Sequence, residues 1–229
     1  MKQNTTDKTA ERAGAADFLK FIRDGQPEWA IAAIKAPKDE VSDELVDFRG
    51  ASSLNRDVAV KEGKEYDEIE PFVAVVQIKG NPWTLIYRSL GYVDERQIEA
   101  ASEDAKELSA RLNTRAISFA GEDTSGANQY ELFEKGKVLE QAEWVVGGEL
   151  FRFKSTHRKR PDLEKVTDEF VDGLFREEGA YLPACYPMTD ADNPWLAVEK
   201  GSADAVERAD LIELETDEED DDYEEEEDV

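Results

Sequence analysis

One cysteine, Cys185, and one histidine, His157, are all that 229 residues contain of either type. A single thiol excludes an intramolecular disulfide, which fits a reducing compartment. One Cys and one His also fall short of the nitrogen and sulfur ligand sets that hold zinc. Cys185 lies in Leu182-Pro183-Ala184-Cys185-Tyr186-Pro187, without the cationic setting that activates a thiol, and reads as structural. His157 lies among Arg158, Lys159 and Arg160 and reads as a surface residue rather than the base of a triad. Long apolar runs are missing too. The longest, Phe72 to Val76, is far too short to span a bilayer. The first 22 residues lack the apolar core of a signal peptide, so a cytoplasmic protein without a membrane partner is expected. Neither GxxxxGK[ST] nor GxGxxG occurs, and no cofactor is expected.

Basic residues are the other scarcity. Lys and Arg number 28 against 55 Asp and Glu, a formal charge of −27. Thirteen of the acids fall between Glu213 and Val229, where no base occurs, and the remainder still carries about −14. An anionic surface repels nucleic acid and anionic membranes, so neither is an expected partner, whereas a basic protein is favoured. Apolar content of 40% beside 36% charged residues describes a very polar soluble chain. A domain of about 200 residues still buries roughly 70% of its unfolded surface, so a core needs no disulfide or metal.

The pattern predicts an α+β fold organised on Pro71 to Phe153. Val73 to Ile78 and Trp83 to Leu90 are strand-like, and the turn formers Lys79 to Pro82 join them as a hairpin. Asp94 and Gln97 form a capping box ahead of Ile98, Ala101, Ala105, Leu108 and Leu112, which share one helical face. Arg115 to Ala120 and Gln129 to Glu134 continue as strands. Lys137 to Glu140 follows the two-residue turn Lys135-Gly136, and Trp144 to Val146 meets Glu149 to Phe153 across Gly147-Gly148. Asp162 is read as capping a second helix, with Leu163, Val166, Phe170, Leu174 and Phe175 on one face and Gly179 at its end. Trp83 and Trp144 are expected in the core.

The expected architecture is an antiparallel sheet of about five or six strands, hairpin and meander, with the two amphipathic helices on one face. An N-terminal helical region over residues 9–24, and Trp29 to Ile34 read as a short helix or else a strand, precede it. Gly50 to Asn55 reads as a loop, and Leu45 to Phe48 as either strand or helix. Tyr181 to Tyr186, Trp195 to Val198 and Asp210 to Leu214 are weaker strand candidates. Residues 1–8 are expected to be flexible, 9–214 to form one domain with its core in 71–178, and 215–229 to be a disordered acidic tail.

Few residues suggest chemistry. Gly121 to Gly126, GEDTSG, differs from an aspartic-protease loop by the inserted Ser125, and Asp123 and Ser125 suit a turn. Asp190, Asp192 and Asn193 open like a calcium loop, but Pro194 and Trp195 break its spacing. Two charged clusters remain. Arg152, Lys154, Arg158, Lys159 and Arg160 are a solvated strand end and loop, a candidate anion or RNA site, or a contact for the chain's own tail. Glu218, Glu219, Asp220, Asp221, Asp222 and Tyr223 are candidate partner-binding residues.

These features point to a non-enzymatic acidic protein-binding module for a basic partner, of inhibitor or immunity type. In composition alone the chain is similar to the small acidic α+β immunity and antitoxin proteins of bacteria, and it carries no motif of their families. A structural or adaptor protein in a bacterial-type assembly is the second reading. A carboxylate-based, metal-dependent hydrolase is the third.

Overall fold

Six apolar residues, Trp29–Ile34 (β1), form the central strand of the sheet, the second of the two readings, rather than a short helix. Alanine-rich sequence favours a helix in isolation. Here Ile31 and Ala33 face one hydrophobic cluster while Ala32 and Ile34 face another, so the strand is buried on both sides. Such strands read as continuous apolar runs without alternation.

The computed structural model describes residues 29–59, 72–77, 80–88, 95–121, 126–145, 147–180 and 208–214. After β1 come α1 (Lys38–Arg49), β2 (Ala51–Ala59), β3 (Phe72–Gln77), β4 (Thr84–Tyr87), α2 (Glu95–Arg111) and β5 (Arg115–Gly121). Then follow β6 (Ala127–Glu134), β7 (Lys137–Val145), β8 (Leu150–Ser155), α3 (Asp168–Glu178) and β9 (Arg208–Leu214). The fold is α+β. All nine described strands join one antiparallel sheet in the order β2-β9-β3-β4-β1-β5-β6-β7-β8.

The hairpin β3–β4 and the meander β5–β8 match expectation. Lys135 and Gly136 both take positive φ, 54° and 74°, as a two-residue hairpin turn requires. A Cβ on Gly136 would stand 2.8 Å from Ala110 Cβ, so glycine also permits close approach to α2. The strand count exceeds the expected five or six because β1, β2 and β9 add to it. Residues read as the loop Gly50 to Asn55 lie mostly in β2, whose polar sequence suits an edge strand with a single neighbour. Lys137 to Glu140 and Trp144 to Val146 are not separate strands: Lys137–Val145 is continuous, with a bulge at Leu139.

The two amphipathic helices do not share a face. Ala105 and Leu108 of α2, with Leu112 just past its end, join Val41 and Leu45 of α1 over Val73, Val75, Ile86 and Ile212. Val171, Leu174 and Phe175 of α3 cover the opposite face, over Ile117, Phe119, Tyr130 and Trp144. Helical periodicity fixes which side of a helix is apolar, but the crossover decides which face of the sheet receives it. Leu45 to Phe48 resolve as part of α1. The helix expected from Asp162 begins only at Asp168. The Thr167 hydroxyl accepts the Phe170 N–H at 3.3 Å, and Leu163 is left partly exposed. Gly179 ends it in the left-handed region, as expected. Trp83 and Trp144 are both buried.

The expected N-terminal helix, Asp94 of the capping box, the strands at 181–186 and 195–198, and the tail at 215–229 lie outside the described residues.

Phe175 sits at the centre of the α3 face, edge-on to Phe119 at 5.5 Å and to Tyr130 at 5.4 Å. Phe175→Ala is expected to lower unfolding stability by about 3–5 kcal/mol in urea titration, as for large-to-small changes in cores. A loss under about 1 kcal/mol would mean that α3 does not seal this face.

Candidate functional site

The basic cluster occupies the last strand of the meander and the turn beyond it. Ser155 organises that turn: its hydroxyl accepts the N–H groups of His157, at 3.2 Å, and Arg158, at 2.9 Å. The Thr156 N–H donates to the Leu139 carbonyl, which holds the turn to β7. Three arginines of the cluster are engaged by their own chain. Arg152 Nη1 donates to Glu143 Oε1 across the ladder at 2.6 Å. Arg160 Nη2 folds back onto the Leu150 carbonyl at 2.7 Å. Arg158 reaches Glu140 on β7 and Glu177 on α3, each at 2.9 Å. Lys154 and Lys159 stay exposed. The structure therefore brings the predicted cations to one end of the sheet but leaves only the lysines open to an external anion. The acidic candidates Glu218 to Tyr223 lie outside the described residues, as do Cys185, Asp123, Ser125, Asp190, Asp192 and Asn193.

The partner of Arg158 went unrecognised in the sequence. Alternation along β7 puts Glu140 in phase with Ala142 and Trp144, on the α3 face, and its side chain is fully buried. Burial pushes the Glu140 carboxyl above the ordinary carboxylate range. The Ser155 hydroxyl opposite and the Arg158 and His157 charges pull it back, and Glu177 adds to the rise. Arg158 Nε stands close to Glu140 but off the hydrogen-bonding direction, so charge rather than an aligned hydrogen bond couples them. The His157 ring lies 3.7 Å from the same oxygen.

Two further buried acids organise the rest. Asp104 on α2 accepts two hydrogen bonds from Arg88, at 2.6 and 2.8 Å, and one from Arg49 at 2.9 Å. Asp210 on β9 takes Lys38 Nζ at 2.5 Å and the Ser42 hydroxyl at 2.7 Å. A serine, a lysine and a carboxylate together invite comparison with a nucleophile and its base. Burial, the largest single effect on Lys38, lowers its pKa, but bonds to Asp210 and Asp39 outweigh it, and the net shift is upward. Lys38 is thus held protonated, Ser42 is fully buried, and the set ties α1 to β9. Among the described residues, no group of three or more His, Cys, Asp or Glu is placed to hold a metal. No helix among them is long and apolar enough to cross a membrane.

The outer surface of the α1 and α2 layer is acidic. These helices carry ten acids against five bases. Asp39, Asp43 and Asp47 are 71%, 67% and 75% exposed, whereas Arg49 and Arg88 turn inward onto Asp104 at 22% and 14%. Arg111 Nη1 reaches across from α2 to Asp47 at 2.7 Å.

The chain matches no family model, no curated protein and no solved structure. What it does is therefore argued from these surfaces alone.

Removing Arg158 isolates Glu140. Arg158→Met is expected to cost about 3 kcal/mol at pH 7.5, as when one partner of a buried pair is lost. A raised carboxyl pKa favours the folded state below the unfolded value and loses that contribution as pH rises through the folded value. The cost should therefore shrink toward pH 4.5, where Glu140 takes up its proton. Urea titrations of both proteins at the two pH values measure it; a cost equal at both, or larger in acid, would refute the pairing. Asp104→Asn leaves Arg49 and Arg88 facing a neutral group and is expected to cost about 3–5 kcal/mol near neutral pH by the same measurement.

Proposed function

We propose that this chain is a non-enzymatic binding module that presents the acidic α1 and α2 layer to a basic partner protein, in the manner of an inhibitor or immunity-type protein. One observation supports the reading above the others. Arg49 is turned inward and Arg111 is laid across Asp47, while the aspartates of α1 face solvent on a chain of −27. Such a field speeds encounter with a cationic surface and repels anionic competitors. The acidic run between Glu213 and Val229, which holds thirteen acids and no base, adds to the negative charge of the chain. A structural adaptor is the second reading. It is favoured by the unlike charge of the sheet's two ends, acidic beside α1 and basic at β8.

Glu40, Glu95 and Glu99 are exposed, and charge reversal at them removes no described ion pair. Tagged wild type and Glu40→Lys/Glu95→Lys/Glu99→Lys are to be compared in capture from native lysate at low salt and near 1 M. At the higher salt screening acts within about 3 Å. Wild type is expected to retain a basic protein at low salt and shed it at high salt, and the triple variant to retain none. Equal capture by both proteins, or a partner indifferent to salt, would overturn the reading.

A further inference from the structure

We infer that β8 is a docking edge for an extended acidic segment of a partner protein, which would add to the sheet as a further strand and set an apolar side chain against Phe151. The inference concerns the end of the sheet remote from the acidic layer and stands independently of it.

Among the described residues β8 pairs only with β7, and Arg160 holds the Leu150 carbonyl, so the stretch a further strand could pair with begins beyond Leu150. Glu143 pairs with Arg152 and Trp144 with Leu150, which leaves Phe151 as the unpaired residue of a β-bulge. A bulge re-aims the side chain it carries. Phe151 is 61% exposed, against 42% for Val138 and 37% for Leu163, the other exposed large apolar residues among those described. The Val166 N–H donates to the Gly148 carbonyl, so the segment carrying Leu163 returns to the end of β8 at which Phe151 lies.

Bulges and cations also occur on edge strands as protection against unwanted pairing. Arg152 and Lys154 fit that role. Phe151 does not, because protection is served by a polar residue at the bulge, and a solvent-facing phenyl ring invites the contact that protection prevents. A ring beside open backbone, flanked by cations, is instead suited to strand addition, in which main-chain bonds give affinity and alternate side chains give specificity.

The charge selects the occupant. Residues 150–160 hold five bases and no acid, on a chain that is otherwise acidic. Lys154 and Lys159 are exposed, and no described carboxylate pairs with them. The chain's own acidic run is a poor occupant in cis. It starts beyond Leu214 on β9, seven strand positions from β8, which is about 34 Å at the usual spacing between strands.

The test uses the full chain and a short fluorescent peptide in which glutamates flank one central phenylalanine. The control has the same charge but carries prolines that remove every second backbone donor. Fluorescence anisotropy at low salt is expected to show saturable binding of the first peptide only. Phe151→Ser and Lys154→Glu/Lys159→Glu are each expected to weaken it by at least about tenfold, while Val138→Ser leaves it unchanged. Circular dichroism of each variant confirms that the fold is kept. Absence of saturable binding, equal binding of the proline peptide, or insensitivity to Phe151→Ser would overturn the inference. So would a peptide of residues 215–229 binding as tightly as the probe, since the occupant would then be a second copy of this chain.

Discussion

The insertion of β9 between β2 and β3 is the constraint on which the remainder of the sheet depends. β2 has no other described neighbour, so this end of the sheet closes only when the strand nearest the C-terminus arrives. That strand carries a buried aspartate. Asp210 is fully shielded, and an uncompensated carboxylate there would cost several kcal/mol. Lys38 and Ser42, both on α1, supply the compensation. A slip of one residue would turn Asp210 toward the α3 face, among Ala74, Val76 and Leu211 and away from its partners. The buried ion pair therefore fixes register at a place where apolar packing, present on both faces, discriminates poorly.

The same device recurs. Asp104 draws Arg49 from α1 and Arg88 from the end of β4 onto α2, and Glu140 with Arg158 and Glu177 links β7 to α3. Each buried acid joins elements distant in sequence and draws basic side chains inward to do so. In a chain with 28 bases against 55 acids this has a surface consequence: Arg49, Arg88 and Arg158 are engaged in joining elements, and the excess of acids is left to face water. The negative field proposed for partner recognition is thus partly a by-product of how the core is assembled.

This also explains what could be read from the sequence and what could not. The hairpins were legible because their turns carry local requirements, such as the positive φ at Lys135 and Gly136. α2 was legible because Ala101, Ala105 and Leu108 repeat at helical spacing on one buried side. β1 reads as helix or strand because burial on two faces erases alternation, although a six-residue apolar run between Pro27 and Pro37 suits a central strand. β2 and β9 depend on each other, and nothing local to either announces a pairing across more than 150 residues. The basic cluster was visible as composition, but its internal pairing was not. Of the 55 acids, periodicity alone distinguishes Glu140, which falls on the Trp144 side of β7, and Asp210, which interrupts an apolar strand. Asp104 carries no such mark, because Glu103 and Glu107 beside it are equally acidic and point outward or sideways.

The two edges of the sheet answer the problem of unwanted pairing differently, and the difference bears on function. β2 carries two register irregularities along its length, so it offers no regular ladder to another strand. Its neighbour α1 adds a dense acidic surface. β8 has one bulge and a row of cations, so two β8 edges repel one another. Like-charge repulsion, however, blocks only like partners. It leaves β8 selective rather than inert, closed to its own kind and open to an extended anionic strand with something apolar to offer Phe151. A protein so acidic elsewhere discourages such strands from settling on its other faces, and this sharpens the preference for the one edge where the sign of the charge changes.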